Sequence, residues 1–180
     1  MKVIFLDIDG VMNCQEEMLV MLKQNPKNRS DVSLPSPTKC KLLKQLVEET
    51  GARIVLSSSW RLSLNAIQKL IDLFELYNLV LSGFTCNEVD SKKFKNTLFE
   101  DIKPRYQHTM GDFGTYIEDR GAEIAAWLLD HPNVSNFVIL DDEDSDIKSW
   151  FPNNLVKTDI QVGLTLDDCL KAAEILKGGK

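Results

Sequence analysis

Carboxylates in this sequence stand where runs of apolar residues stop. Asp7 and Asp9 follow the apolar residues 3–6, and Gly10 comes directly after them. Two like charges this close are unfavourable unless a cation or bound phosphate chemistry requires them. Taken alone, the pattern also fits a fragment of a Ca²⁺-binding loop or a solvated turn. Other parts of the chain decide between these interpretations.

Two further polar clusters also follow short apolar runs. A serine run, 57–59, follows the apolar residues 54–56, and an acidic run, 141–146, follows the apolar residues 137–140. Unbroken β-branched and aromatic runs of this length predict buried strands. Because the carboxyl ends of parallel strands meet at one edge of an open sheet, we expect the three clusters to converge there. The serine run also fits a polar turn that caps the next helix.

Strands and helices alternate along the chain. Periodicity and capping residues predict helices over about 14–22, 36–50, 64–76, 120–129 and 165–177, and further strands near 79–84 and 155–158. This alternation predicts a doubly wound α/β fold, in which helices cover both faces of a parallel sheet. Residues 85–118 are the least regular part, and we interpret them as a small insertion or lid. Residues 1–180 are therefore expected to form a single domain with a minimal cap.

The composition is that of an ordinary globular protein. Of the 180 residues, 43% are hydrophobic and 27% are charged, and the formal net charge of −6 argues against a strongly basic nucleic-acid-binding surface. The sequence has neither an apolar stretch of about 20 residues nor a signal-peptide pattern, so we expect no membrane partner. Four scattered cysteines and two histidines make poor zinc or disulfide sets. These features favour reduced thiols and a cytoplasmic location.

The converging acids are suited to phosphoryl transfer. Asp7, Asp142 and a backbone carbonyl can bind one Mg²⁺ and leave an open face for a phosphate. Asp7 can then attack phosphorus and form an aspartyl-phosphate. Asp9 can protonate the leaving oxygen and later deprotonate the water that hydrolyses the intermediate. The three carboxylates thus have separate roles in one predicted site.

A transferring phosphoryl group also requires hydrogen-bond donors and a fixed cation. The hydroxyl of Ser57 and the amide of Ser58 suit the first requirement, and Arg120, at the start of a predicted helix, suits the second. Arg61 follows the serine run and is a candidate contact to a substrate phosphate or base. A surface salt bridge is the alternative role for Arg61.

Four motifs resemble those of the haloacid dehalogenase (HAD) superfamily. They are residues 5–11 (FLDIDGV), the strand that ends in Ser57, a basic residue that opens a later helix, and the acidic residues Asp141, Asp142 and Asp146. They occur in the order of the family and cover the chain to about residue 150. More narrowly, residues 56–61 (LSSSWR) and 120–128 (RGAEIAAWL) resemble the HAD domains of Swiss Army knife RNA-repair proteins.

The resemblance implies a role for each acidic residue. Asp7 becomes the nucleophile, and Asp9 becomes the general acid/base that also supplies a backbone carbonyl to Mg²⁺. Asp142 becomes the metal ligand of the fourth motif, because the spacing to Asp146 fits the family pattern. Asp141 and Asp146 would then orient the metal ligands without binding the metal themselves.

The same resemblance makes Ser57 the phosphate-binding residue of the second motif. The third motif more often contains lysine in the family, and the lysines of the same region compete with Arg120 for this place: Lys92, Lys93, Lys95 and Lys103. We favour Arg120 because it opens the helix that leads to the fourth strand.

The sequence therefore predicts a Mg²⁺-dependent phosphohydrolase that acts on a phosphomonoester. A small cap implies an open site, which suits a phosphate at the end of a large substrate, and the RNA-repair resemblance suggests a polynucleotide end such as a 3′-phosphate. A small-molecule or nucleotide phosphatase is the alternative, which the acidic net charge favours. A phosphotransferase and a non-catalytic phosphate-binding adaptor are the others. No obligate protein partner is predicted.

Overall fold

The structure is a computed structural model that describes residues 1–24, 34–85, 88–89, 107–109, 115–117 and 119–178. Its strands are β1 (Lys2–Leu6), β2 (Arg53–Leu56), β3 (Leu81–Phe84), β4 (Glu88–Val89), β5 (Gln107–Thr109), β6 (Thr115–Ile117), β7 (Asn136–Asp141) and β8 (Leu155–Lys157). Its α-helices are α1 (Gln15–Gln24), α2 (Pro37–Thr50), α3 (Leu64–Glu75), α4 (Arg120–Asp130), α5 (Ile147–Trp150) and α6 (Leu166–Lys177), and Ser59–Leu62 forms a 3₁₀ helix.

Five strands form a parallel sheet in the order β3-β2-β1-β7-β8. The doubly wound α/β fold expected from the sequence is therefore confirmed. From β1 the chain adds β2 and β3 on one side, and it later adds β7 and β8 on the other side of β1. This reversal opens a crevice at the carboxyl end of β1, which is where such sheets bind ligands. Leu6 pairs with Leu56 and Leu140, so β1, β2 and β7 end at the same level.

Successive residues of β1 point into two separate cores. Ile4 and Leu6 pack into the larger core, to which α2, α3 and α6 also contribute. Val3 and Phe5 pack into the smaller core, which includes residues of α4 and α5. Because both faces of the strand are covered, its apolar run is uninterrupted, as expected for a central strand of a parallel sheet.

Local capping signals explain where the main helices begin and end. Ser36 caps α2 by accepting a hydrogen bond from the Lys39 amide, and Gly51 ends the helix in the left-handed conformation at φ +67°. Thr165 and Asp168 form a reciprocal capping box at the start of α6. The helices predicted at these positions are confirmed, whereas α5 and the 3₁₀ helix were not predicted.

The predicted insertion, 85–118, falls largely outside the described residues. In its described part, β6 pairs antiparallel with both β4 and β5. This small second sheet belongs to the described part of the insertion, and the predicted role of the segment as a lid stays a prediction. Among the described residues, no helix is both long and apolar enough to cross a membrane.

Candidate active site

Three carboxylates meet at the carboxyl ends of β1 and β7. The Asp7 amide donates to the Leu140 carbonyl at 3.0 Å, which extends the strand pairing to the first acid. Oxygen atoms of Asp7, Asp141 and Asp142 lie within 4.8 Å of one another. Asp7 and Asp141 are buried and Asp142 is partly buried. We call these three residues the acid cluster; its hard oxygen donors match the preference of Mg²⁺.

A turn at Gly10 leaves room for the acid cluster. Gly10 adopts φ +72°, and a β-carbon at this position would lie 2.4 Å from Cγ of Asp142. The residue after β8 holds this turn, because the Thr158 hydroxyl donates to the Gly10 carbonyl at 2.9 Å. Glycine is required here both for the backbone conformation and for the space that the Asp142 carboxylate occupies.

The acid cluster resists ionisation when no cation compensates its charge. Burial, reinforced by the nearby Asp7 carboxylate and only partly opposed by Arg120, raises the pKa of Asp141 to about 7. Burial also raises the pKa of Asp7 and of Asp142, and the Asp7 charge adds to the effect on Asp142. A divalent cation would reverse this effect by stabilising the charged carboxylates.

Arg120 connects the acid cluster with the loop after β2. Its Nη1 donates to Oδ1 of Asp7 at 3.2 Å and to the Ser57 carbonyl, and it lies 3.5 Å from Oδ2 of Asp141. The Asp119 carboxylate caps α4 by accepting from the Ala122 amide, and so fixes the start of the helix that presents this guanidinium. Arg120 thus contacts two members of the acid cluster, and its role as the cation of the third motif remains a prediction. The four competing lysines lie outside the described residues.

The two serines of the second motif differ in their surroundings. Ser57 is buried, its amide donates to the Leu6 carbonyl, and its hydroxyl accepts from Thr85 at 3.4 Å. A hydrogen bond from the Ser58 side chain stabilises the Asp7 carboxylate and works against its raised pKa. The Ser58 hydroxyl also accepts from the Trp60 amide and caps the 3₁₀ helix, so the capping interpretation holds for this residue. The phosphate-binding roles of both serines remain predictions.

The second acid of the first motif lies outside the acid cluster. Asp9 is exposed, and its two carboxylate oxygens accept from Asn13 Nδ2 at 2.8 Å and from Trp60 Nε1 at 3.0 Å. Asp7 and Asp9 therefore have different surroundings, and their predicted roles as nucleophile and general acid/base remain predictions. Any contribution of Asp9 to the metal through its backbone carbonyl remains a prediction.

Arg61 forms an ion pair, which was the alternative to a substrate contact, but the pair is buried. Its Nη2 lies 2.6 Å from Oε1 of Glu123, and its Nη1 donates to the Ser58 carbonyl at 2.6 Å. The Arg61 and Glu123 side chains are only 9% and 6% exposed, so the ion pair is buried rather than at the surface. Burial raises the pKa of Glu123, and the Arg61 charge opposes this shift. Through these two contacts Arg61 holds the loop after β2 against α4.

The supporting acids also differ from expectation. Asp141, expected to act from outside the metal shell, lies within the acid cluster and is itself a candidate ligand. Asp146 is exposed and takes the N-cap position of α5 without a side-chain capping bond. It lines a polar pocket of about 220 Å³ beside the acid cluster, together with Arg120, Asp141, Glu143, Ser145 and Ile147.

Sequence reasoning missed the groups that hold the site residues in place. These are Asn13 and Trp60 beside Asp9, Glu123 beside Arg61, Thr85 beside Ser57, and Thr158 beside Gly10. Trp60 also packs against the larger core. No local sequence pattern predicts the hydrogen bond that the Trp60 indole donates to Asp9.

A family model matches residues 3–169, and its description is "HAD domain in Swiss Army Knife RNA repair proteins". No curated protein matches the chain significantly. The solved structures likewise give no significant match.

Proposed function

Since this chain belongs to the family of HAD domains in Swiss Army Knife RNA repair proteins, we propose that it is a Mg²⁺-dependent phosphatase that works through an aspartyl-phosphate on Asp7. Membership of the family supports a HAD-type phosphohydrolase. The observation that carries the finer proposal is the contact of Arg120 with Asp7 inside the acid cluster. A buried nucleophile, a fixed cation and additional carboxylates for a metal are the parts that phosphoryl transfer requires.

The acid cluster fits a magnesium ion. Asp7 and Asp142 would hold it through their carboxylates and Asp9 through its carbonyl, and Asp141 lies close enough to bind or orient it. When bound, Mg²⁺ would neutralise the carboxylates and the phosphate oxygens. The raised pKa values of Asp7, Asp141 and Asp142 support the proposal, because they reflect buried carboxylates that the protein's own positive charge stabilises only in part.

In the first step a carboxylate oxygen of Asp7 attacks phosphorus, and the bond between phosphorus and the leaving oxygen breaks. Asp9, protonated at this stage, gives its proton to the leaving oxygen, so the product departs as a neutral alcohol. Arg120, 3.2 Å from Oδ1 of Asp7, is placed to stabilise the charge on the equatorial phosphoryl oxygens.

In the second step water attacks the phosphorus of the aspartyl-phosphate. Asp9, now ionised, takes a proton from this water, and the bond between phosphorus and Asp7 breaks. Phosphate leaves, the Asp7 carboxylate is restored, and Asp9 is again protonated for the next cycle.

We place the substrate among polynucleotide ends, with a 3′-phosphate as the first candidate. The description of the family supports this substrate class. The formal net charge of −6 favours a small phosphomonoester or nucleotide as the second candidate. A non-catalytic adaptor has less support, because Asp7, Asp9, Ser57 and Asp142 are all retained.

A phosphate-release screen tests this proposal. It would compare 3′- and 5′-phosphorylated oligonucleotides, nucleotides, sugar phosphates and phosphopeptides, each with Mg²⁺ and with a chelator. We expect Mg²⁺-dependent release, highest on the 3′-phosphorylated oligonucleotide. The Asp7→Asn variant should lose turnover, and the matched exposed variant Asp72→Asn should retain it.

The outcomes separate the alternatives. A clear preference for a sugar phosphate would overturn the polynucleotide assignment. Inactivity on every substrate would overturn the enzyme assignment and favour the adaptor. Transfer of labelled phosphate to an added alcohol, in place of release to water, would identify a phosphotransferase. Mg²⁺-dependent turnover by Asp7→Asn would refute the aspartyl-phosphate mechanism.

A further inference from the structure

Two donors from different parts of the chain hold the Asp9 carboxylate. Asn13 Nδ2 donates to Oδ1 at 2.8 Å, and Trp60 Nε1 donates to Oδ2 at 3.0 Å. Asn13 is buried, and its own Oδ1 accepts from the Gly10 amide at 3.1 Å. This second bond orients the Asn13 amide so that its NH₂ group faces Asp9.

The Trp60 indole belongs to a well-anchored segment. The Trp60 amide bonds to the Ser58 hydroxyl, its ring packs against the larger core, and the next residue, Arg61, is bound to Glu123. The indole therefore reaches Asp9 from a fixed position. An exposed carboxylate on a turn would otherwise sample several rotamers, and each additional hydrogen bond narrows that range.

This arrangement is compatible with both protonation states of Asp9. Indole and carboxamide N–H groups can only donate, and a carboxyl group keeps acceptor capacity on both oxygens after it binds a proton. The two donors can thus hold the group while it gives a proton and while it takes one. A general acid must lie within hydrogen-bond reach of the leaving oxygen, so its orientation bears directly on the rate.

We propose that Trp60, together with Asn13, is a positioning residue that aims the Asp9 carboxyl group at the leaving oxygen of the substrate. This inference rests on the proposed phosphatase function. It assigns the Trp60 indole to the protein's own general acid rather than to stacking on a substrate base.

The test uses Trp60→Phe, which keeps an aromatic ring and removes the N–H donor. Its kcat/KM is measured on p-nitrophenyl phosphate, whose leaving group needs no proton, and on an alkyl phosphate, whose leaving group does. We expect kcat/KM to fall about tenfold on the alkyl phosphate and less than about twofold on p-nitrophenyl phosphate. Asn13→Ala, which removes the other donor, should show the same difference between the two substrates.

Trp127→Phe is the matched control, because Trp127 packs edge-on against Phe5 in the smaller core. It should leave the ratio of the two kcat/KM values unchanged. Equal losses on both substrates in the Trp60 and Asn13 variants would show a structural role and overturn the inference. Unchanged activity of both variants would also overturn it. A wild-type protein inactive on both phosphates and on every substrate of the phosphate-release screen would instead refute the proposed function, and the inference with it.

Discussion

Gly10 and Asp142 share one space: a β-carbon on Gly10 would stand 2.4 Å from Cγ and 2.5 Å from Oδ2 of Asp142. The Asp142 carboxylate thus occupies the space that a side chain at position 10 would fill. Because Asp142 belongs to the acid cluster, the glycine shapes the candidate metal site without contributing a ligand.

The Gly10→Ala variant should therefore lose Mg²⁺ binding as well as stability. The left-handed backbone alone costs about 1–2 kcal/mol for a residue with a β-carbon, and Asp142 must also move. Gly51→Ala is the matched control, because Gly51 has φ +67° with nothing within 4 Å of the added atom. Calorimetry with Mg²⁺ should show binding to the control and not to Gly10→Ala. Equal Mg²⁺ affinity in the two variants would contradict the steric argument.

In the metal-free protein, Asp141 should make stability fall as the pH rises. Its folded pKa of about 7 lies above the ordinary 3.8, so between these values the folded state binds more protons than the unfolded state. The free energy of unfolding then decreases from about pH 4 to about pH 7, by roughly 2–4 kcal/mol from this residue, and levels off above that. Urea denaturation at several pH values, with a chelator present, would measure this decrease in the free energy of unfolding.

The Asp141→Asn variant isolates this contribution. It should match the wild-type protein near pH 4 and exceed it in stability at pH 8, when both are free of metal. A variant less stable than the wild-type protein at pH 8 would show that Asp141 stabilises the fold as an anion through Arg120.

Binding of Mg²⁺ should release protons near neutral pH. The pKa values of Asp7, Asp141 and Asp142 are all raised, and a metal binds only their ionised forms. The apparent Mg²⁺ affinity should increase from pH 6 to pH 8. For each proton that binding releases, the affinity should rise by up to about tenfold when the pH rises by one unit. Calorimetry in two buffers of different ionisation enthalpy would count the protons. Identical heats in both buffers would count against the raised pKa values.

The buried pair of Arg61 and Glu123 should show strong coupling. Glu123→Ala leaves the guanidinium buried beside the Ser58 carbonyl without its carboxylate, which should cost about 3 kcal/mol of unfolding free energy. The double variant Arg61→Met, Glu123→Ala should be destabilised by less than the sum of the single variants. Urea denaturation of all four proteins completes this cycle. The exposed pair of Lys177 and Glu49 serves as a control, with coupling below about 1 kcal/mol. Simple additivity at Arg61 and Glu123 would refute the structural role.

The sequence by itself determined the central strands and the positions of the polar clusters that follow them. The runs that end at Leu6, Leu56 and Leu140 are apolar throughout. Such runs form strands inside a sheet that helices cover on both faces. Parallel strands then bring their carboxyl ends to one edge. For this reason the convergence of Asp7, the serine run and Asp142 followed from local patterns alone.

Only the tertiary structure decided which side chains touch one another. Arg61 pairs with Glu123 across 62 positions, and Trp60 reaches Asp9 across 51. Such contacts depend on strand order, register and helix orientation, which arise from the packing of the whole chain rather than from any one segment. The same dependence placed Asp141 inside the acid cluster, because its position relative to Asp7 is set by the alignment of β7 with β1.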